Sequence, residues 1–101
     1  MRSVQVKLDK VRNLRFGMGA LARLEKELGI KITDMNLETI SFYDIVNLCY
    51  VGFKHEDKEL TLDKTMDILD EYGNVEEIGN AIGKAIELSF GKQEGKQIPT
   101  K

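Results

Sequence analysis

Gly17-Met18-Gly19 stands between an apolar alternation and a helical pattern, where glycine spacing invites phosphate chemistry. A dinucleotide turn needs G-x-G-x-x-G between a strand and a helix, so that backbone N–H groups face the phosphate. Here Ala20, Leu21 and Ala22 follow, and the third glycine is missing. The pair reads instead as a flexible bend into a helix, with Gly19, Ala20 and Ala22 small enough for close packing. Cys49 and His55 are the next residues with reactive side chains. Six positions apart, they fall near opposite sides of a helix and do not form a nucleophile–base pair. Cys49 reads as a core residue and His55 as part of a charged surface linker. One His and one Cys cannot supply the four N/S ligands of a structural zinc site. Asp63, Asp67, Asp70 and Glu71 lack the loop spacing and central glycine of a calcium-binding EF-hand. At helical spacing they form a solvated face, or a docking surface for lysines and arginines. No carboxylate sits in an apolar setting that would raise its pKa. The expectation is no catalytic, cofactor or metal site, and a protein that is not an enzyme.

The surrounding pattern predicts an α+β domain, mostly helical, with an N-terminal β-hairpin packed on four helices. "SVQVKLDK" alternates with Val4, Val6 and Leu8 on one face. "VRNLRF" alternates with Leu14 and Phe16 on one side and Arg15 on the other, and Asp9-Lys10 joins the two runs. Two strands alone are marginal in water, so this pair must lie on helices. Met18, Leu21, Leu24 and Leu28 make a helical stripe that Gly29 stops. Residues 30–40 read as a connector with a helical turn, pinned to the core by Ile30, Ile32, Met35, Leu37 and Ile40. Ser41 with Asp44 resembles a capping box, and Phe42, Ile45, Val46, Cys49 and Phe53 form the inner face of a second helix. Thr61 caps a third, lined by Leu62, Met66 and Leu69. Asn74 with Glu77 opens the last, whose stripe is Val75, Ile78, Ile82, Ala85 and Ser89. The domain spans 4–90, and residues 91–101 read as a mobile tail.

A chain of 101 residues, 42% hydrophobic and 32% charged, has the size and composition of one globular domain. No apolar run reaches the roughly 20 residues of a membrane span. The start alternates instead of forming a signal core, and the single cysteine forms no internal disulfide, so the cytoplasm is the expected compartment. The net charge of −2 is unevenly divided: residues 1–31 carry eight Lys/Arg against three acids, and residues 32–101 carry seven against fourteen. Such a split is either neutralised within the fold or suits a basic front docking on an acidic back. Nucleic acid is a poor partner for an acidic chain with interleaved basic residues. Met18, Met35 and Met66 offer core filling or adaptable contact surface. Gly79 and Gly83 give a small-xxx-small spacing, for close packing within the domain or a helix contact with another chain.

The segments "LRFGMGALARLEKELG", "SFYDIVNLCYVGFKHED", "LTLDKTMDILDEYG" and "EEIGNAIGKAIELSFG" occur in an order that resembles the tail assembly chaperones of long-tailed phages and prophages. The likeness covers about residues 4–90 and lies in the pattern of apolar positions. It is most specific at Phe16, Leu21, Leu24, Glu25, Leu28 and Gly29, at Leu60-Thr61-Leu62, and at Ala81 and Ala85. The resemblance implies binding to the tape-measure protein, a long aggregation-prone helical chain, and recruitment of tail-tube subunits. It also implies self-association, action in the host bacterial cytoplasm, absence from the mature virion, and no catalytic residues. A structural tail-completion or head–tail connector protein and a small regulatory binding module are the alternatives.

Overall fold

The computed structural model describes residues 3–29, 31–36 and 39–89. Strands β1 (Val4–Lys7) and β2 (Val11–Leu14) pair antiparallel, with Val4 opposite Leu14 and Val6 opposite Arg12. Helices α1 (Met18–Leu28), α2 (Phe42–Phe53), α3 (Leu62–Tyr72) and α4 (Val75–Ser89) follow, with one 3-10 turn at Ile32–Asp34. The architecture is the expected one, a hairpin on four helices. Ile30, Leu37 and the 91–101 tail lie outside the described residues.

Local chemistry accounts for most boundaries. The Ser41 hydroxyl accepts from Asp44 N–H at 3.1 Å, Thr61 Oγ1 from Lys64 N–H at 3.0 Å, and Asn74 Oδ1 from Glu77 N–H at 3.0 Å. Each satisfies an otherwise orphaned first-turn donor. Helix α1 has no such side chain; extended Gly17 precedes it. At its other end Gly29 adopts φ 72°, the left-handed conformation glycine reaches without penalty, and its N–H donates to Glu25 O.

Helix α2 is the hub, packing against α1, α3, α4 and β2. Its buried side is Leu48, Cys49, Gly52 and Phe53, with Ile45 partly covered. Gly52 is required there: a Cβ would collide with Leu14 Cδ1 and stand 3.1 Å from the Phe16 ring. The same contact brings Gly52 O within 3.0 Å of Arg15 N–H. Beyond it, Glu56 Oε2 accepts from Asn13 N–H at 2.8 Å and His55 Nε2 donates to Asn13 O at 2.7 Å. The outer edge of β2 is thereby closed by the end of α2 and its following loop.

Four expectations are corrected. Phe42, assigned to the inner face of α2, is 71% exposed, and Val75, assigned to the α4 stripe, is 60% exposed. Met18, assigned to the α1 stripe, is 87% exposed, so that stripe begins at Leu21. Each is the first residue of its helix. Helical Cα–Cβ bonds tilt toward the N-terminus, so a first-residue side chain projects past the end of the surface its helix packs on. The fourth correction concerns α3, whose buried residues are Thr65 and Ile68, whereas Leu62, Met66 and Leu69 are only partly covered. Thr65 tolerates burial because its hydroxyl donates to Thr61 O at 2.8 Å.

Candidate functional site

The residues with reactive side chains are placed for structure. Cys49 is fully buried, and desolvation pushes its thiol up to about 12, leaving no thiolate at neutral pH. His55 is held against Asn13 O. Among the described residues no three His, Cys, Asp or Glu side chains converge on one point. Also among them, no helix is long and apolar enough to cross a membrane.

The glycine pair borders an open cleft of about 390 Å³, lined by Arg15, Arg23, Tyr50 and Lys54 among others. The expected close packing is absent: a Cβ at Gly19 meets nothing within 4 Å, and Ala22 is exposed. Lys54 is committed elsewhere, donating to Leu60 O at 2.6 Å with its ammonium 5.1 Å from the Tyr50 ring centre. Arg15 and Arg23 have no ion-pair partner among the described residues.

One polar cluster went unread in the sequence. Arg12 points inward and is only 3% exposed. Its guanidinium takes both Asp9 oxygens at 2.8 Å, reaches Asp57 Oδ2 at 3.2 Å, and stands 6.0 Å from the Phe53 ring centre. This fork-shaped grip holds the Asp9 carboxyl below its usual range, against the opposing effect of burial. Burial works against the Glu56 carboxylate as well, but hydrogen bonds from Asn13, with His55 and Arg12 nearby, outweigh it and lower its pKa. The signal in the sequence was the alternation itself, since Arg12, Leu14 and Phe16 share one face.

The feature suited to binding lies at the opposite end of α2. The start of α2, the end of α3 and the start of α4 enclose a groove of about 230 Å³, lined by Phe42, Ile45, Val46, Leu69, Val75 and Ile78 along with Asp70. Phe42 and Val75 are the exposed helix-start residues described above. Tyr43, which follows Phe42, and Tyr72, the last residue of α3, are also exposed. Of the six large hydrophobic residues left exposed among the described residues, two, Phe42 and Val75, line this groove. Clustering of this kind marks an interaction surface, where scattered apolar residues would not. Residues 67–78 add Asp67, Asp70, Glu71, Glu76 and Glu77 and no Lys or Arg.

The predicted contact residues divide around this groove. Asp70 lines it, and Asp63 and Asp67 are exposed on α3. Met66 is half-buried on the same helix, and Met35 packs against the core. Met18 stands exposed on α1. Gly79 and Gly83 are half-buried on α4, and a Cβ at Gly79 meets nothing within 4 Å. No packing partner among the described residues therefore needs a glycine at 79. Gly79→Ala is expected to raise stability by about 0.5–1 kcal/mol through helix propensity alone, read from urea denaturation. A lower midpoint would show that the space is used.

No family model, curated protein or solved structure matches the chain.

Proposed function

We propose that this protein is a tail assembly chaperone of a long-tailed phage or prophage. It acts in the bacterial cytoplasm by holding exposed apolar helix of the tape-measure protein until tail-tube subunits replace it. It works by binding and carries out no bond chemistry. The observation that carries this reading is the corner groove, with Phe42 and Val75 exposed over an apolar floor and Asp70 in its lining. A helix with an apolar stripe is the natural occupant of such a groove. The resemblance in apolar pattern over residues 4–90 supplies the identity of the client.

The test is co-expression with a tape-measure protein from the same genome. Soluble tape-measure protein is expected to rise with the wild-type chain and to fall back with Phe42→Asp, which leaves the fold intact because Phe42 is solvent-facing. Equal insolubility with and without the wild-type chain would remove the proposal. Finding the chain at stoichiometric levels in purified virions would replace it with a structural role.

A further inference from the structure

The two ends of α2 border different hollows. The groove meets α2 at Phe42, Ile45 and Val46, and the cleft of about 390 Å³ beside the start of α1 meets it at Tyr50, Val51 and Lys54. Arg15, Arg23, Lys54 and His55 line the cleft, and no described Asp or Glu does, in a chain whose net charge is −2. The acids nearest these four residues in the chain are engaged elsewhere. Asp9 and Asp57 hold Arg12, Glu56 accepts from Asn13 N–H, and Glu25 Oε2 accepts from Ile32 N–H at 2.9 Å. Glu27, one turn along α1 from Arg23, forms no ion pair with it. Arg15 and Arg23 are thus left without ion-pair partners among the described residues. Lys54, fixed by its bond to Leu60 O, adds a positive charge held in place. Tyr50 and Val51 give the cleft an apolar side, and Gly17 and Gly19 have no side chains to fill it.

We propose that this cleft binds a short acidic segment of a partner polypeptide. One carboxylate meets Arg15 and another meets Arg23, and an apolar side chain of the same segment lies against Tyr50 and Val51. Guanidinium groups grip carboxylates through paired N–H···O bonds, which suits arginine to this task better than a point charge. The volume is that of a site for a few side chains, too small for a duplex. A long polyanion is disfavoured by the rest of the molecule: residues 32–101 carry seven Lys/Arg against fourteen acids, which repel phosphates beyond the cleft. The site is separate from the groove of the proposed function, so one copy has a place for a partner at each end of α2.

The full chain is titrated into a labelled oligoglutamate peptide carrying one central leucine, and binding is read by fluorescence anisotropy. Saturable one-to-one binding is expected, weakening as salt rises. Arg15→Glu and Arg23→Glu are each expected to weaken it about tenfold, the effect of reversing one partly exposed ion pair. Lys64→Glu makes the same charge change at an exposed position on α3, outside the cleft, and is expected to alter affinity by less than about twofold. Phe42→Asp is expected to bind like wild type. Arg23 is exposed, so its replacement is expected to leave circular dichroism and the urea midpoint unchanged. No binding at low salt, or equal weakening by Lys64→Glu and Arg23→Glu, overturns the proposal. Loss of binding in Phe42→Asp places the peptide in the groove and overturns it too. So does stronger displacement of the peptide by a single-stranded oligonucleotide of the same charge than by unlabelled peptide, or full displacement by inorganic phosphate at matched ionic strength. A salt-sensitive wild-type dimer that disappears in Arg23→Glu, seen by sedimentation equilibrium, assigns the cleft to a second copy and likewise overturns the proposal.

Discussion

Phe16→Ala is expected to cost about 3–5 kcal/mol of folding stability, the usual range for emptying a buried aromatic site. Phe16 is 1% exposed, its ring meets α2 where Gly52 has no side chain, and its carbonyl accepts from Ser89 Oγ on α4. Truncation removes the wedge that joins the hairpin to two helices. A domain of this size has a total stability of about 5–15 kcal/mol, so the loss is a large share of it. Phe42→Ala is the matched control. The residue type and the change are the same, but the site is open to solvent, and the expected effect is within about 0.5 kcal/mol. Urea denaturation of both chains measures the contrast. Equal small effects would mean that the hairpin is not anchored through Phe16.

The second large effect belongs to Arg12. Removing one member of a buried ion pair costs about 3–5 kcal/mol where the partner is left stranded. Asp9 and Asp57 keep 27% and 28% of their side-chain surface in water, so both rehydrate in part. Arg12→Ala is therefore expected to cost about 2–3 kcal/mol, a discount on that range. The variant also changes the response to acid. Asp9 has a folded pKa below its ordinary 3.8, so its contribution to stability is fully present above that pH. It is lost as pH falls through the lower folded value. Without Arg12 the main cause of the shift is gone. Stability plotted against pH is then expected to fall less steeply below about pH 4 in Arg12→Ala than in wild type. Parallel acid limbs would show that Asp9 and Arg12 are not coupled.

The parts legible in the sequence were those governed by short-range rules. Ser41, Thr61 and Asn74 announced three helix starts because capping needs an oxygen within three residues of its donor. Gly29 announced one helix end for a comparable reason. On α2 the expected Cys49 and Phe53 are buried, while buried Leu48 and Gly52 were passed over because the helix is apolar on most sides: as the hub it meets four elements, and periodicity alone then does not give the full buried face. The α3 face was turned because Thr65 looks polar in a sequence, while its hydroxyl is satisfied within its own helix. Arg12 was missed because its partners Asp9 and Asp57 converge only once the hairpin and the loop after α2 are folded. The candidate groove was hidden for a different reason. Phe42 and Val75 keep the helical period, and only their position at the first residue of a helix takes them out of the core.

The lone cysteine gives the protein a built-in clock. A thiol with no solvent access and a pKa near 12 does not meet an alkylating reagent in the native state. It reacts only when the surroundings of α2 come apart, and the freed thiol then has the reactivity of an ordinary one. Because α2 touches most of the other elements, that event is close to global unfolding. The rate of mass gain on incubation with iodoacetamide thus records how often the whole molecule opens. It does so with no engineered residue, and in the presence or absence of whatever occupies the surface.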